Sequence, residues 1–293
     1  SSEVVMPNQS ATIPATLSKK VQTDLLRNQM KFNGLIVSDA MDMNGLTIYI
    51  GQEEAAVRAI EAGTDLLEKP ARPEAMIRGI VEAVKSGRLT EERINQSARK
   101  LLAWKHQLGL FKQKITPIDQ IDKIVSSKEV RDLADEIGSK AITLVRDEDK
   151  NLPISKDKKV FVLAITNGPD IDFVANPLIT TLRQNGYKFE FSALDERSTE
   201  AEQNRAIERA KNADVVVNAL YGRVRSGAKN SGVLPPSGAN VLQKILDSNK
   251  PLVNLSFGNP YLLLSYPNMR TYVVSYGDMP SLQKATANAI TGN

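Results

Sequence analysis

The residues in this sequence best placed to do chemistry are carboxylates standing where apolar runs end. In Gly34-Leu35-Ile36-Val37-Ser38-Asp39-Ala40-Met41-Asp42-Met43 the run Leu35 to Val37 stops abruptly at Ser38-Asp39. A buried parallel strand delivers a carboxylate to the rim of a sheet or barrel in this way, and α/β folds place their chemistry at the carboxyl ends of their strands. Asp39 is therefore the first candidate catalytic group. The local alternative is that Ser38 or Asp39 caps a helix starting near Ala40. Asp42 and Met43 follow as candidate substrate contacts, with loop support the other role open to Asp42.

The elements that would hold these residues alternate along the chain. Val4-Val5-Met6 reads as the end of a strand. Ser18 reads as the N-cap of a helix over about Lys19–Gln29, with Val21, Leu25 and Leu26 on one face. Asn33-Gly34 turns into the strand that ends at Asp39. A helix over about Glu53–Ala62 closes at Gly63, which suits the left-handed position after a helix. Thr64–Glu68 reads as a strand stopped by Pro70. Pro73 opens a helix that Gly87 ends, and Thr90 caps a long helix ended by Gly109. Residues 1–110 thus suggest a parallel sheet with right-handed crossovers, and three strands cannot close an eight-stranded barrel.

Residues 111–127 are mostly polar, contain Pro117, and read as an interdomain linker. Ser127 caps a helix to about Lys140, and Ala141–Val145 reads as a strand. From Lys159 onward five strands (Val160–Ile165, Lys188–Ser192, Val215–Leu220, Leu252–Ser256, Thr271–Val274) alternate with helices. The pattern is that of a five-strand doubly wound α/β domain, apolar on both faces of its strands.

Composition narrows the function. Hydrophobic content of 41% and charged content of 25% describe a globular chain. The net charge of +4 is spread out with no basic run, so nucleic-acid binding is not indicated. The absence of cysteine removes thiolate metal sites, and the single histidine, His106, removes a His-rich one. No metal or cofactor is expected, and no apolar run is long enough to span a membrane. There is no G-x-G-x-x-G after Val160–Ile165, where Thr166-Asn167-Gly168-Pro169-Asp170 stands, and no G-x-x-x-x-G-K-[ST] element. Ser1-Ser2-Glu3 reads as an interior point of a longer chain or a processed end.

Gly34–Met43, Pro14–Ser18 and Ala62-Gly63-Thr64-Asp65-Leu66-Leu67 together resemble glycoside hydrolase family 3. Ala83–Ile94, Lys100-Leu101-Leu102 and Lys105–Leu110 add to the likeness. Lys140–Arg146 with Asn151-Leu152-Pro153 looks like the start of that family's second domain. The resemblance implies the C-terminal part of a (β/α)8 TIM-type barrel over residues 1–110, the linker 111–127, and an α/β sandwich over 128–293. It implies that Asp39 is the nucleophile of a retaining glycosidase acting on a carbohydrate, with no nucleic acid or membrane partner. The Pro-Ala-Thr-Leu-Ser element and the Ser-Asp-Ala-Met-Asp-Met form are similar to the β-N-acetylhexosaminidase branch, which implies terminal β-linked N-acetylglucosamine and bacterial peptidoglycan recycling. The β-glucosidase branch and a degenerate hydrolase kept as a binding or scaffolding protein remain the alternatives. An extracytoplasmic setting, periplasmic or cell-surface, is favoured.

The sequence also departs from the family pattern. By resemblance the barrel's opening strands, with the acid/base group of the hexosaminidase branch, should precede Val4. The chain is therefore expected to be a fragment, inactive alone and needing the first barrel half in the same or another chain. The β-glucosidase branch takes its acid from a loop matching Tyr221–Gly227, where Arg223 stands instead of glutamate. Arg223, Arg225 and Lys229 make that loop basic: either a solvated loop, or a contact for an anionic fragment or the barrel rim. Asp65 and Glu68 are expected at the same rim as Asp39, touching sugar or serving as caps and packing. Trp104 is expected in core or interface packing, and His106 in a structural or solvent-facing role.

Overall fold

The structure, a computed structural model of the chain, describes residues 3–4, 13–43, 46, 50–225 and 227–293. Ser1, Ser2, Val5, Met6 and Ser226, which figure in the expectations above, lie outside the described residues. The chain forms two compact units, Ser1–Ile118 and Asp119–Asn293.

In the first unit β1 (Glu3–Val4) pairs antiparallel with β2 (Ile13–Pro14). Val4 therefore does not belong to a parallel strand, and β2 is a strand the sequence reading did not contain. Helix α1 (Lys20–Gln29) is a π-helix, closed by i→i+5 bonds such as Met30 N–H to Leu25 O at 2.9 Å. Ser18 does not cap it with its side chain; Lys19 holds the cap position. Then follow β3 (Val37–Ala40), α2 (Gln52–Ala62), β4 (Leu66–Glu68), α3 (Pro73–Lys85) and α4 (Glu91–Gln107). β3 and β4 are parallel, two β/α units in succession. The helix punctuation is local chemistry. Gly63 takes φ 119° after α2, Pro73 opens α3, and the Thr90 hydroxyl accepts the Arg93 N–H at 3.1 Å.

The apolar stripe of α2 packs Ala55, Ala56 and Ala59 with Met41, Leu17 and Met76. Small residues let α2 and α3 approach closely. A Cβ added at Gly79 would lie 2.8 Å from the Glu53 Cβ and 2.9 Å from its main-chain Cα and O. On the outer surface Arg88 bridges Glu54 and Glu61, and the Arg88 and Arg58 guanidiniums pull the Glu54 carboxyl down to about 2.

The second unit is built on a six-stranded sheet rather than five. β5 (Thr143–Asp147) forms an antiparallel edge beside β10 (Thr271–Val274). β9 (Leu252–Ser256), β8 (Val215–Tyr221), β6 (Val160–Thr166) and β7 (Phe189–Leu194) follow in parallel. Along β6 every side chain is buried, and alternate ones serve opposite layers. Val160, Val162 and Ala164 pack under α7 (Asn176–Gln184) and α11 (Pro280–Thr291). Phe161, Leu163 and Ile165 pack under α8 (Glu200–Asn212) and α9 (Pro236–Leu246). This period of two is why the strand reads as continuously apolar. α5 (Ile121–Ile124), α6 (Lys128–Ala141, capped by Ser127) and α10 (Leu262–Ser265) complete the unit. A polar line crosses this apolar sheet. Asn218 on β8 donates to Asn254 on β9 at 2.8 Å, and Asn254 donates to the Thr271 carbonyl on β10 at 3.0 Å. The Thr271 hydroxyl donates to Asp147 on β5 at 2.9 Å.

Because the atoms crowding Gly79 are the Cβ and main-chain atoms of Glu53 on α2, they have no rotamer to retreat into. Gly79→Ala is expected to lower the stability of the first unit by about 1–3 kcal/mol. Urea unfolding followed by circular dichroism measures the shift, and an unchanged midpoint would contradict the close approach.

Candidate active site

Asp39 sits at the carboxyl end of β3, exposed, with Ser38 buried and pointing the other way. No helix starts at Ala40, so the capping alternative does not hold; Met41 and Asp42 form a turn. The β3–β4 register shifts between Val37, opposite Leu66, and Ala40, opposite Glu68. The Ser38 hydroxyl fills the gap. It accepts the Glu68 N–H at 2.9 Å and donates to the Asp39 carbonyl at 2.7 Å. An irregularity of this kind beside a strand end re-aims the next side chain. The Asp39 carboxylate accepts the Ala40 N–H at 2.7 Å.

The chain beyond Asp39 is tied down on three sides. The Met41 N–H donates to the Glu68 carbonyl at 2.9 Å, and the Met41 side chain is fully buried. The Met41 carbonyl accepts from the Gln52 side chain on α2. Asp42 ion-pairs with Lys69 at 3.2 Å, joining the loops after β3 and β4. A small recess at Asp39 is lined by Pro14 and Thr16 on one side and by Met41, Met43 and Leu46 on the other. The 15–17 turn that supplies Thr16 is held by Gln22, whose amide donates to the Ala15 carbonyl at 3.2 Å.

Asp65 is not at this rim. It precedes β4, at the amino end of the strand pair, and its main-chain N–H donates to the Ile36 carbonyl at 2.8 Å. Its side chain, 2% exposed, accepts the Ile36 N–H at 3.1 Å and the Ser97 hydroxyl at 2.8 Å. Arg27 and Lys100 pair with it, and Arg93 lies 3.9 Å away. Desolvation pushes the Asp65 carboxyl up, but the Ile36 N–H, the Ser97 hydroxyl, Lys100 and Arg27 outweigh it and hold the group below the ordinary aspartate value. The misplacement comes from reading the strand as 64–68. It begins at Leu66, so Asp65 belongs to the opposite end from Asp39. Only Glu68 is at the rim, exposed.

In the second unit the strand order reverses between β6 and β8, where open α/β sheets bind ligands. Arg223 fills that crevice. Its guanidinium donates to Asp170 at 2.9 Å and to the Thr166 hydroxyl at 2.7 Å, and it lies 3.2 Å from Asp278. Asn167 donates to the Arg223 and Asn230 carbonyls at 2.8 and 2.9 Å, and Arg225 donates to the Asn167 carbonyl. Burial raises the Asp170 carboxyl, but the Arg223 pairing prevails and lowers it. Arg223 is therefore neither a solvated side chain nor an uncommitted cation. Trp104 is 42% exposed rather than in a core, and His106 is exposed near Phe111. No group of three or more His, Asp or Glu side chains able to hold a metal occurs among the described residues. No helix among them is long and apolar enough to cross a membrane.

Thr16, Gln22 and Gln52 were not identified from the sequence. The available signal was the position of Gln52 at the first turn of a helix whose buried positions are otherwise alanine, valine and isoleucine.

Comparison with known proteins gives a consistent result. Residues 1–104 match the model of the glycosyl hydrolase family 3 N terminal domain. A β-N-acetylglucosaminidase/β-glucosidase of Cellulomonas fimi is 28% identical over 295 residues, covering 96% of this chain and 51% of the relative. A lysosomal β-glucosidase of Dictyostelium discoideum is 25% identical over 280 residues, covering 82% of this chain and 34% of the relative. The solved structure of a glycoside hydrolase family 3 β-N-acetylglucosaminidase from Paenibacillus sp. str. FPU-7 superposes with a TM-score of 0.80 at 27% identity, over 96% of this chain and 53% of that one. The chain thus spans about half the length of these relatives or less.

Asp65 makes stability depend on pH. Its carboxyl titrates lower in the folded chain than the unfolded value of about 3.9, so the folded state binds fewer protons in that range. Its contribution is complete above about pH 4 and fades as pH falls through the folded value. Asp65→Asn leaves Arg27, Arg93 and Lys100 facing a neutral group and is expected to cost about 3–5 kcal/mol at pH 7. Denaturant titrations between about pH 2 and 7 should show the gap between wild type and variant narrowing toward acid; a constant gap would contradict the charge assignment.

Proposed function

Since this chain belongs to glycoside hydrolase family 3, we propose that it carries the nucleophile of a retaining glycosidase, and that the nucleophile is Asp39. The observation that carries this reading is the placement of one exposed carboxylate at the end of a parallel strand, in a loop anchored on three sides beside a recess. Retaining hydrolysis needs such a group below the anomeric carbon. The carboxylate attacks that carbon, the glycosidic C–O bond breaks, and the departing oxygen takes a proton from an acid on the opposite face. The same acid, now a base, removes a proton from water. The water opens the glycosyl–Asp39 ester and releases the sugar with its configuration retained.

The second group of this mechanism lies about 5–5.5 Å from the nucleophile. Among the described residues no second carboxyl group and no histidine lines the recess at Asp39. In our reading the acid/base comes from a preceding barrel region, and the 293-residue chain assayed alone does not turn over substrate. Arg223, committed to Asp170 and Asp278, is not a proton donor in this scheme. The substrate is a terminal β-linked N-acetylglucosamine. Support comes from the names of the Cellulomonas and Paenibacillus relatives and from the Pro-Ala-Thr-Leu-Ser segment, whose Thr16 lines the recess. In this reading Met43, which lines the recess, contacts the sugar, and Asp42, paired with Lys69, supports the loop.

The test uses the protein carrying this chain at its full length, treated with a fluorinated, slow-turnover β-N-acetylglucosaminyl donor. One glycosyl group should attach at Asp39, located by peptide mass. Asp39→Asn should abolish the adduct and lower turnover of an aryl β-N-acetylglucosaminide by at least about 10⁴-fold. Attachment elsewhere, or retained turnover, would overturn the assignment. A higher kcat/KM on the aryl β-glucoside would favour a β-glucosidase instead. Inertness to both donors would favour a scaffold.

A further inference from the structure

We propose that Gln52 is a positioning residue for Asp39, fixing the main chain that follows the nucleophile. The inference rests on the reading of Asp39 given above. Gln52 opens α2 and is 7% exposed. Its Nε2–H donates to the Met41 carbonyl at 3.3 Å, and its Oε1 accepts the Arg72 N–H at 3.3 Å. One carboxamide thus joins the loop after β3 to the loop after β4 by their main chains, at the end of the strand pair where Asp39 sits.

A glutamine is an expensive choice at this position if packing is its only task. Burying a carboxamide without partners costs about 1–3 kcal/mol, whereas the neighbouring inward positions of α2 are filled by Ala55, Ala56 and Ala59. What the amide adds is an acceptor and a donor at fixed places. With it, both polar main-chain groups of Met41 are held, the N–H by the Glu68 carbonyl and the carbonyl by Gln52. Ser38 fixes the chain just before Asp39 and Gln52 fixes it just after. Without Gln52 the Met41–Asp42 peptide keeps its packing anchor but loses the bond that sets its plane. A carboxylate that must approach one carbon atom is sensitive to such a loss, since about 1 Å of misplacement costs on the order of 10²-fold in rate.

The experiment measures the rate constant of adduct formation with the same fluorinated donor in the full-length protein. In Gln52→Leu that rate constant is expected to fall about 10–100-fold while the donor's dissociation constant stays within about 2-fold. Gln52→Glu separates positioning from packing. Its introduced carboxyl group can donate to the Met41 carbonyl only when protonated, and when ionised it faces that carbonyl with like polarity. The rate relative to wild type at each pH should therefore recover as pH falls through the titration of the introduced acid. A packing role would give a deficit independent of pH, which overturns the inference, as does a wild-type rate in both variants. Should Gln52→Leu fail to fold, the pH profile of Gln52→Glu decides alone. Failure of the wild-type protein to form the Asp39 adduct would overturn the parent reading and this inference with it; adduct formation at the wild-type rate in the variants would overturn this inference only.

Discussion

The buried Asp65 carboxylate is the constraint on which the first unit depends. One side chain accepts the Ile36 N–H, which sets the start of β3, and follows directly from the loop that sets the start of β4. The same two oxygens receive Arg27 from α1 and Ser97 and Lys100 from α4. Arg93 adds bonds to the Ile60 and Thr64 carbonyls at 3.1 and 2.7 Å, reaching the end of α2. A charge taken out of water survives only if it is paired and hydrogen-bonded, and here those requirements recruit four elements around one atom group. The amino ends of the strands are thereby tied to both flanking helices through one carboxylate.

The carboxyl end is built in a different way. Among the described residues no charge is buried there; neutral groups tie main chain to main chain. Ser38 supplies the acceptor that the shifted register denies to the Glu68 N–H, and Gln22 and Gln52 hold the two segments flanking the recess. Ionic groups there, Asp42 and Lys69, are at the surface, where a pair contributes little to stability but still orients a loop. The division is physically reasonable: the carboxylate proposed as nucleophile is disturbed least when the groups fixing it carry no charge of their own.

Much of this was legible in the sequence, and the parts that were not share a cause. Apolar runs and turn residues located β3, β4 and the parallel strands of the second unit, because strand burial and helix punctuation are written in side-chain type. The strand-end position of Asp39 was legible because a carboxylate ends an apolar run. The antiparallel edge β5 was visible as a strand but not as part of the sheet, since pairing partners such as Asp147 and Thr271, 124 residues apart, leave no local mark. Asp65 was assigned to the wrong end because the strand starts at Leu66, two residues later than the apolar run suggested, which leaves Asp65 just before the start of a three-residue strand. The basic loop carrying Arg223 and Arg225 looked solvated because their acceptors, Asp170 and the Asn167 carbonyl, lie more than fifty residues upstream. The π-helical bonding of α1 left no sequence signal that we can identify.

The asparagine line across the second unit has a further consequence. Asn218, Asn254 and Thr271 meet only in one alignment of β8, β9 and β10. Side chains alternate along a strand, so sliding β9 by one residue would turn Asn254 into the opposite layer and leave Asn218 among hydrocarbons with nothing to donate to. Each stranded amide would cost about 1–3 kcal/mol, whereas apolar side chains of similar size would tolerate the slide more readily. In central strands that are otherwise largely apolar, these few amides act as an address: they add little to how tightly the strands associate and much to which alignment they accept.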